Sequence, residues 1–436
     1  MISAQDMKQD LPMMKSRPVQ LSPAPAKVVP FRERILLVIL FVTILASSVA
    51  FIEPSPHDGL MGLLAVACLV ARVRFERKLA PLILLLLIWN IAGLMALLNV
   101  PTAQSAIQYT ATSIYLAIAA ILFACIFAEN TMPRLATMRV AYLLTAAMGA
   151  IAGIAGYFHL FPGADTFAPY SRALGAFKDP NVFGPFLIWP TLFIIQRIMV
   201  RQFGMTDFIA VGILLFGLLL SFSRGAWFHF AVSTTALVAL NFLTAPTSQA
   251  RMRVFGLSML SLVALAGLLV ALLSIDSIGE MFRERAQLIQ FYDVGEGGRF
   301  RLQELALSSV LNYPNGMGPF GFAQMHDGLQ QHNVYLQAFL VYGWAGAMAY
   351  ILLLVSTLLI GFRAAIMRTP WQAYLITAFA TFVGEVAEGF VIDTDHWRHF
   401  YLLLGMIWGL SVASLRQTGK AQTMMPAARP DVTSAA

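Results

Sequence analysis

Charged residues are scarce in this sequence: only 12% of its 436 residues are Asp, Glu, Lys or Arg, whereas 58% are hydrophobic. About a quarter of the residues of a soluble domain are charged, so this chain cannot cover a water-facing surface in the usual way. Its net charge of +7 does not indicate nucleic-acid binding, because the basic residues lie at the ends of apolar segments. Lipid is therefore the expected surrounding of most of the chain.

Cysteine is almost absent as well. The two cysteines, Cys68 and Cys125, both lie inside apolar runs. A disulfide framework and a zinc site of clustered cysteines are therefore not expected.

Long apolar segments fill most of the chain and predict its fold. A bilayer core of about 30 Å requires about 20 apolar residues per helix. By this measure the sequence predicts an all-α polytopic membrane protein with about twelve transmembrane helices. The predicted spans are 35–52, 59–73, 79–98, 106–127, 138–159, 182–200, 207–221, 226–243, 254–275, 334–362, 371–392 and 399–415.

Polar segments divide the chain around these helices. Residues 1–34 are polar and proline-rich, which predicts a disordered cytoplasmic tail and not a cleaved signal peptide. The first nine helices occupy 35–275, and a long polar segment, 276–333, separates them from the last three in 334–415. Residues 416–436 form a C-terminal tail. Long loops in compact proteins are often functional, so 276–333 is a candidate functional segment.

The distribution of positive charge predicts the orientation in the membrane. If the N-terminus is cytoplasmic, 21 of the 29 Lys and Arg residues fall on the cytoplasmic side, as the positive-inside rule requires. An even number of helices returns the C-terminus to the cytoplasm. We therefore expect a protein of the bacterial inner membrane, with both termini cytoplasmic and 276–333 in the periplasm.

Eight basic residues fall on the opposite, periplasmic side, where orientation does not require them. The guanidinium group of arginine presents a planar fork that matches phosphate oxygens, so several arginines at one cavity suit a pyrophosphate. The alternative is that they bind lipid headgroups or pair with Asp165, Asp179, Asp293 or Asp395. The eight residues are Arg172, Lys178, Arg224, Arg283, Arg285, Arg299, Arg301 and Arg398.

Five motifs on the predicted periplasmic side occur in an order typical of one family. They are RALGAFKDPN at 172–181, SRGA at 223–226, Gly-Arg at 298–299, PNGMGPFGF at 314–322, and HNVYL at 332–336 followed by Gly343 and Gly346. In this order they make residues 170–350 resemble the O-antigen ligase and polymerase superfamily. Outside that range the resemblance is one of topology.

The resemblance implies a membrane glycosyltransferase of the GT-C-like kind. Such enzymes move a glycan from undecaprenyl pyrophosphate to an acceptor hydroxyl. The acceptor is a lipid A-core sugar in the ligases and another repeat unit in the polymerases. The family is regarded as working without a metal or a nucleotide sugar, so no cofactor is expected. The expected partners are the lipid-linked donor, a lipid A-core or polysaccharide acceptor, and membrane lipids.

The motifs also assign candidate roles. Fixed positive charge stabilises a pyrophosphate leaving group, and Arg172 and Arg224 are the first candidates for this role, with Arg299 the third. His332 is the candidate general base, although a capping role at the start of the next helix is the alternative. Further candidate substrate contacts at or near motif positions are Asp179, Asn181, Ser223 and Asn333, of which Asn333 is more typical of a helix cap.

Two acids inside a predicted helix add a second set of candidates. Glu385 and Glu388 are three residues apart, so they share a helix face, and ionisable groups at membrane depth usually face a cavity or a partner. Glu388 could contact substrate, orient an arginine or accept a proton, and an ion pair with Arg398 or Arg224 is the structural alternative. Arg398 itself is a candidate substrate contact.

Three classes of function remain open. A ligase is the reading that we prefer, and a polymerase for exopolysaccharide or capsule shares its fold and motifs. A flippase or transporter of the same lipid-linked sugars would predict inverted repeats and a charged site at mid-depth, and the sequence has no evident repeat. A membrane scaffold of an export complex would not need converging arginines.

Overall fold

The computed structural model describes residues 29–52, 54–100, 104–287, 294–295 and 297–424. These residues form α-helices joined by short 3-10 turns and loops, and no β-strand occurs among them. The predicted all-α fold is therefore confirmed.

Sixteen α-helices lie within the described residues. In chain order they are α1 (Phe31–Leu45), α2 (Pro56–Val70), α3 (Ala80–Leu97), α4 (Gln104–Ala128), α5 (Thr131–Tyr157), α6 (Pro180–Phe186), α7 (Ile188–Met199), α8 (Met205–Leu220), α9 (Arg224–Thr244), α10 (Ser248–Leu273), α11 (Asp276–Arg285), α12 (Arg299–Asn312), α13 (Gly321–Met325), α14 (Val334–Ala365), α15 (Gln372–Glu388) and α16 (Arg398–Met424).

Among the described residues, eight helical segments are long and apolar enough to cross a membrane. They are α3 with the turn before it, α4, α5, α6 together with α7, α9, α10, α14 and α16. The four other predicted spans coincide with α1, α2, α8 and α15, which have 15 to 17 residues each. The chain is thus an all-helical membrane protein, and the count of twelve spans remains a prediction.

Small residues bring the helices of the bundle close together. This is common in membrane proteins, because the hydrophobic effect does not drive helices together in lipid and close packing stabilises them instead. Helix α16 packs on α4 through Gly405 and Gly409, where an added Cβ would lie 2.7 Å from the Ala120 carbonyl oxygen and 2.5 Å from that of Ala124. The membrane-spanning window of α16 is 89% buried, whereas that of α10 is 0% buried. Helix α16 is therefore central and α10 peripheral.

The glycine-rich motif at 314–322 packs against a kink in α14. Gly343 has a φ of 67°, which interrupts the helical hydrogen bonds. The Leu340 carbonyl accepts from the Met317 amide at 2.6 Å, and the Trp344 amide donates to the Pro314 carbonyl at 2.8 Å. The motif thus satisfies two backbone groups of α14 beside its kink.

Parts of the predicted loop and of the predicted C-terminal tail are helical in the structure. The long segment 276–333 contains three helices, α11 to α13, and α12 packs on α14 through a small apolar cluster that includes Leu302, Ala306 and Leu340. Most of the predicted N-terminal tail lies outside the described residues. At the C-terminus α16 continues to Met424, past the predicted end at 415, and the remainder of that tail is also outside the described residues.

Candidate active site

A cavity of about 400 Å³ lies at one end of the bundle, where the first residues of α6, α9 and α12 and the loops before α14 and after α15 meet. This volume is within the usual range of ligand sites. Seven of the residues predicted from the sequence line it, namely Arg172, Asp179, Asn181, Ser223, Arg224, Arg299 and His332. Segments far apart in sequence therefore converge on one site.

Arg172 is oriented by the end of α8 and by the start of α6. Its Nε donates to the Ser221 carbonyl and its Nη2 to Asn181 Oδ1, both at 2.9 Å. Asp179 caps α6 by accepting from the Asn181 backbone amide at 2.8 Å. In the motif at 172–181, Asp179 thus fixes the start of α6, and Asn181 on that helix holds the arginine.

Arg224 is the first residue of α9, and a tight turn places it at the cavity. Phe222, between α8 and α9, has a φ of 46°, a conformation that is uncommon for a bulky residue. Ser223 caps α9 by accepting from the Ala226 amide at 3.3 Å. The Arg224 guanidinium donates through Nη1 to the Gln287 carbonyl at 3.0 Å. The positive end of the α9 dipole adds to the positive charge at this position.

Two further arginines reach the same cavity from the segment 276–333. Arg285 ends α11 and Arg299 begins α12, and both line the cavity together with Arg172 and Arg224, so we call it the arginine cavity. Asp179 and Asp393 are the acidic residues among its described lining. Four guanidinium groups line this cavity, and their planar forks match the oxygens of an anionic ligand.

His332 and Asp393 form an acid–histidine pair in this cavity. His332 Nδ1 lies 3.8 Å from Asp393 Oδ2, and the side chain of His332 is 47% exposed. The other oxygen of Asp393, Oδ1, is buried and makes no hydrogen bond with the described residues. His332 precedes the cap of α14, so its backbone position is fixed by the start of that helix.

The surroundings shift the pKa values of this pair in opposite directions. Partial burial lowers the pKa of His332, and the nearby Arg299 lowers it further. Burial raises the pKa of Asp393 to about 7, and the neighbouring Asp395 contributes to this rise. At neutral pH His332 is therefore mainly the neutral base, which is the form that can accept a proton.

Asn333, Arg398 and Glu388 do not line this cavity. Asn333 Oδ1 accepts from the amides of Tyr335 and Leu336 at 3.0 and 3.1 Å, so it caps α14. Arg398 forms two hydrogen bonds of 3.0 Å with the carboxylate of Asp58.

Glu388 is fully buried beside His229, and its Oε2 lies 2.8 Å from His229 Nδ1. The alternative that paired Glu388 with Arg398 is therefore wrong: Asp58 is the partner of Arg398, and Glu388 faces a histidine of α9. Gly225, the residue after Arg224, lies against this acid, since a Cβ added at Gly225 would be 2.7 Å from Glu388 Oε1.

Sequence reasoning missed Asp393, Arg285 and Trp397 as cavity residues. Asp393 and Asp395 belong to the sequence Asp-Thr-Asp directly after a predicted span, and this acidic pair is a signal from which Asp393 could be predicted. Arg285 belongs to the outward basic residues but to none of the five motifs. Among the residues that the structure describes, no group of three or more His, Cys, Asp or Glu side chains could hold a metal ion.

Fold and cavity together define an all-helical membrane protein with an arginine-lined cavity that contains an acid–histidine pair. Residues 209–351 match the family described as O-Antigen ligase. The matched range includes Arg224, Arg299 and His332. It confirms the resemblance to the O-antigen ligase and polymerase superfamily and supports an inner-membrane protein with an activity of that type. Among curated proteins, none matches this chain.

Proposed function

We propose that this protein is an O-antigen ligase: it moves a glycan from undecaprenyl pyrophosphate to a sugar hydroxyl of an acceptor, in lipopolysaccharide or surface polysaccharide assembly. The observation that carries this proposal is the convergence of Arg172, Arg224, Arg285 and Arg299 on the cavity that also holds His332. A pyrophosphate donor needs concentrated positive charge, and a hydroxyl acceptor needs a base beside it.

The reaction is a substitution at C1 of the donor sugar. His332 takes the proton of the acceptor hydroxyl, whose oxygen forms a bond to C1. The bond between C1 and the pyrophosphate oxygen breaks, and the pyrophosphate leaves with the electron pair. The cavity arginines stabilise the charge that develops on this leaving group. Direct attack inverts the configuration at C1.

Asp393 acts on the proton that His332 receives. Its carboxylate lies near the imidazole Nδ1, so an ionised Asp393 stabilises the imidazolium that forms and makes His332 a stronger base. The arginines thus stabilise the leaving group, and the pair of His332 and Asp393 activates the acceptor.

The cavity faces the periplasm in this proposal. The segments around it belong to the side that carries 8 of the 29 basic residues, whereas the opposite side, with both termini, carries the remainder. The lipid of the donor stays in the membrane while its pyrophosphate enters the cavity. A polymerase uses the same chemistry on another repeat unit, and the match at 209–351 is compatible with both activities.

A complementation experiment tests the proposal. A deletion strain receives the wild-type gene, Arg224→Ala or Arg301→Ala. Arg301 is the matched control because it pairs with Glu304 at 2.6 Å and does not line the cavity. Lipopolysaccharide profiles and the pool of undecaprenyl-linked glycan are then measured.

We expect long glycan to disappear from lipid A-core and to accumulate on undecaprenyl with Arg224→Ala, but not with Arg301→Ala. Accumulation of single repeat units would identify a polymerase instead. An Arg224→Ala strain with a wild-type profile, or donor trapped on the cytoplasmic face, would contradict a transferase.

A further inference from the structure

The start of α14 and the end of α15 approach each other closely beside the arginine cavity. The Val334 amide, in the first turn of α14, donates to the carbonyl of Gly389, directly after α15, at 2.9 Å. Gly389 permits this approach, since a Cβ added there would lie 2.7 Å from Val334 Cγ1. His332 shortly precedes Val334, and Asp393 shortly follows Gly389. This contact therefore joins the two chain segments that carry the acid–histidine pair.

The side chain of Asn333 forms a second link between these segments. Its Nδ2 donates to the Phe390 carbonyl, after α15, at 3.2 Å. Its Oδ1 accepts from the amides of Tyr335 and Leu336 in the first turn of α14. Because an asparagine amide both donates and accepts, one side chain holds the start of α14 against the loop that follows α15.

The backbone beside Asn333 has an unusual conformation. His332 has a φ of 49°, in the left-handed region that is uncommon for residues other than glycine. Such a conformation persists where the surrounding structure holds it. Asn333, the next residue, is extended, with a φ of −152°. The direction in which the chain presents His332 therefore depends on where Asn333 is anchored.

We propose that Asn333 is a positioning residue, which holds His332 and Asp393 at the spacing in which the acid stabilises the imidazolium, and this inference rests on the proposed function. His332 Nδ1 and Asp393 Oδ2 are 3.8 Å apart, whereas a hydrogen bond needs about 3 Å. A small movement therefore closes or opens the pair. A contact of Asn333 with substrate is not supported, because the residue is only 9% exposed and does not line the arginine cavity.

The surroundings of Asp393 make this position measurable. The charged and titratable groups that face its carboxylate come from α12, from the residue before Asn333 and from its own loop, and they are Arg299, His332, Asp395 and His396. The backbone amide of Asn333 favours the ionised carboxylate and so acts against the burial that raises the pKa of Asp393. If Asn333 moves away, the pKa of Asp393 should therefore rise further.

The test uses the full-length protein in lipid nanodiscs. Serine is a good N-cap, so Asn333→Ser keeps the cap of α14 but is too short to reach the Phe390 carbonyl. Asn99→Ser is the matched control, because Asn99 Nδ2 donates to the Gly316 carbonyl at 3.1 Å and neither residue lines the arginine cavity. Transfer is measured as a function of pH and of donor concentration. NMR of isotope-labelled histidine follows His332, whose resonance is assigned by its absence in His332→Ala.

In Asn333→Ser we expect kcat to fall about tenfold, since small misplacements of catalytic groups are costly, at an unchanged KM and a nearly unchanged melting temperature. The decrease of activity at low pH should move to higher pH. Asn99→Ser should transfer as the wild type does. A higher KM with an unchanged kcat would make Asn333 a substrate contact, and an equal loss of rate in both variants would make its role structural, so either result would overturn the inference.

The NMR measurement does not depend on transfer. In the wild type the His332 resonance should respond to the ionisation of Asp393 near pH 7, and in Asn333→Ser this response should move to higher pH. An unchanged response in Asn333→Ser would overturn the positioning role, whatever the Arg224→Ala experiment shows. The inference can therefore fail while the proposed function stands, and the reverse also holds.

Discussion

Two of the acid–histidine pairs in the described part of the chain have the same chemistry and different surroundings. His332 and Asp393 are 3.8 Å apart at the arginine cavity, and the histidine is about half exposed. His229 and Glu388 are 2.8 Å apart, and both side chains are 0% exposed between α9 and α15. The first pair can exchange a proton with a ligand, and the second is closed off from one.

The hydrogen bonds of His229 define where the protons of the buried pair lie. Its Nε2 lies 2.9 Å from the Thr381 carbonyl, which only accepts, so Nε2 must carry a hydrogen. One proton then remains between Nδ1 and Glu388. The pair is therefore neutral as a whole, whichever atom holds this proton, and burial of such a pair needs no further counter-charge. In the proposed mechanism, access to a cavity separates the catalytic pair from the buried pair, since the residue types are the same.

Removal of His332 should have the largest effect on activity. His332→Ala deletes the proposed general base, which typically contributes about 10²–10⁴-fold, and the half-exposed side chain contributes little to packing. Transfer from undecaprenyl-linked donor by the purified variant should fall within that range at an unchanged melting temperature. A variant that transfers at the wild-type rate would remove His332 from the mechanism.

Removal of His229 should act on stability instead. His229→Ala leaves Glu388 buried without its partner, a change that typically costs about 3–5 kcal/mol. Thermal unfolding in detergent should show a clear decrease in melting temperature, and Glu388→Gln, which keeps a hydrogen-bonding group, should be milder. If His229→Ala is as stable as the wild type but inactive, then the buried pair has a catalytic role and the comparison fails.

The pH dependence of transfer should report the exposed pair. The pKa of Asp393 is raised to about 7, and that of His332 is lowered, so acid first protonates Asp393 and then the base itself. Activity should therefore decrease as the pH falls through about 7. In Asp393→Asn the maximal rate should be about tenfold lower and the decrease should move to lower pH, because the group with a pKa of about 7 is gone and only His332, whose pKa is lowered, still titrates. A pH profile that is the same in both proteins would contradict this assignment.

The smallest expected effect concerns the contact between the buried pair and the start of α9. Gly225→Ala would place its Cβ 2.7 Å from Glu388 Oε1, and overpacking of this kind typically costs about 1–3 kcal/mol. Melting temperature and transfer should both decrease. Glu388→Asp in the same protein shortens the acid and should restore part of the loss. Without any such recovery, the loss in Gly225→Ala would have another origin.

Much of the fold follows from the sequence because a helix that crosses the lipid bilayer needs a long apolar run. Each predicted span is an apolar run that coincides with one helix of the structure or, at 182–200, with the consecutive helices α6 and α7. The role of the glycine-rich motif at 314–322 could not be predicted, because it depends on the kink at Gly343, which lies outside the motif. The helices within 276–333 were missed because they are short and polar, so they contain no long apolar run.

Some of the cavity residues could be predicted because they belong to sequence motifs. Arg172, Arg224, Arg299 and His332 follow from ordered motifs, and in the structure they line one cavity. The partners of Glu388 and Arg398 could not be predicted, since His229 and Asp58 are 159 and 340 residues away in sequence and helix rotation decides which of them face each other. The burial of Asp393 depends on the loop between α15 and α16, which no periodic pattern describes.

The most direct test of the account is the binding of undecaprenyl pyrophosphate to the protein in lipid nanodiscs. Wild type, Arg224→Ala and the control Arg301→Ala are compared. The account predicts that Arg224→Ala weakens binding by about tenfold or more, as for the loss of a charge-assisted hydrogen bond, while Arg301→Ala binds as the wild type does. Equal affinities for all three proteins would contradict the claim that the arginine cavity holds the pyrophosphate.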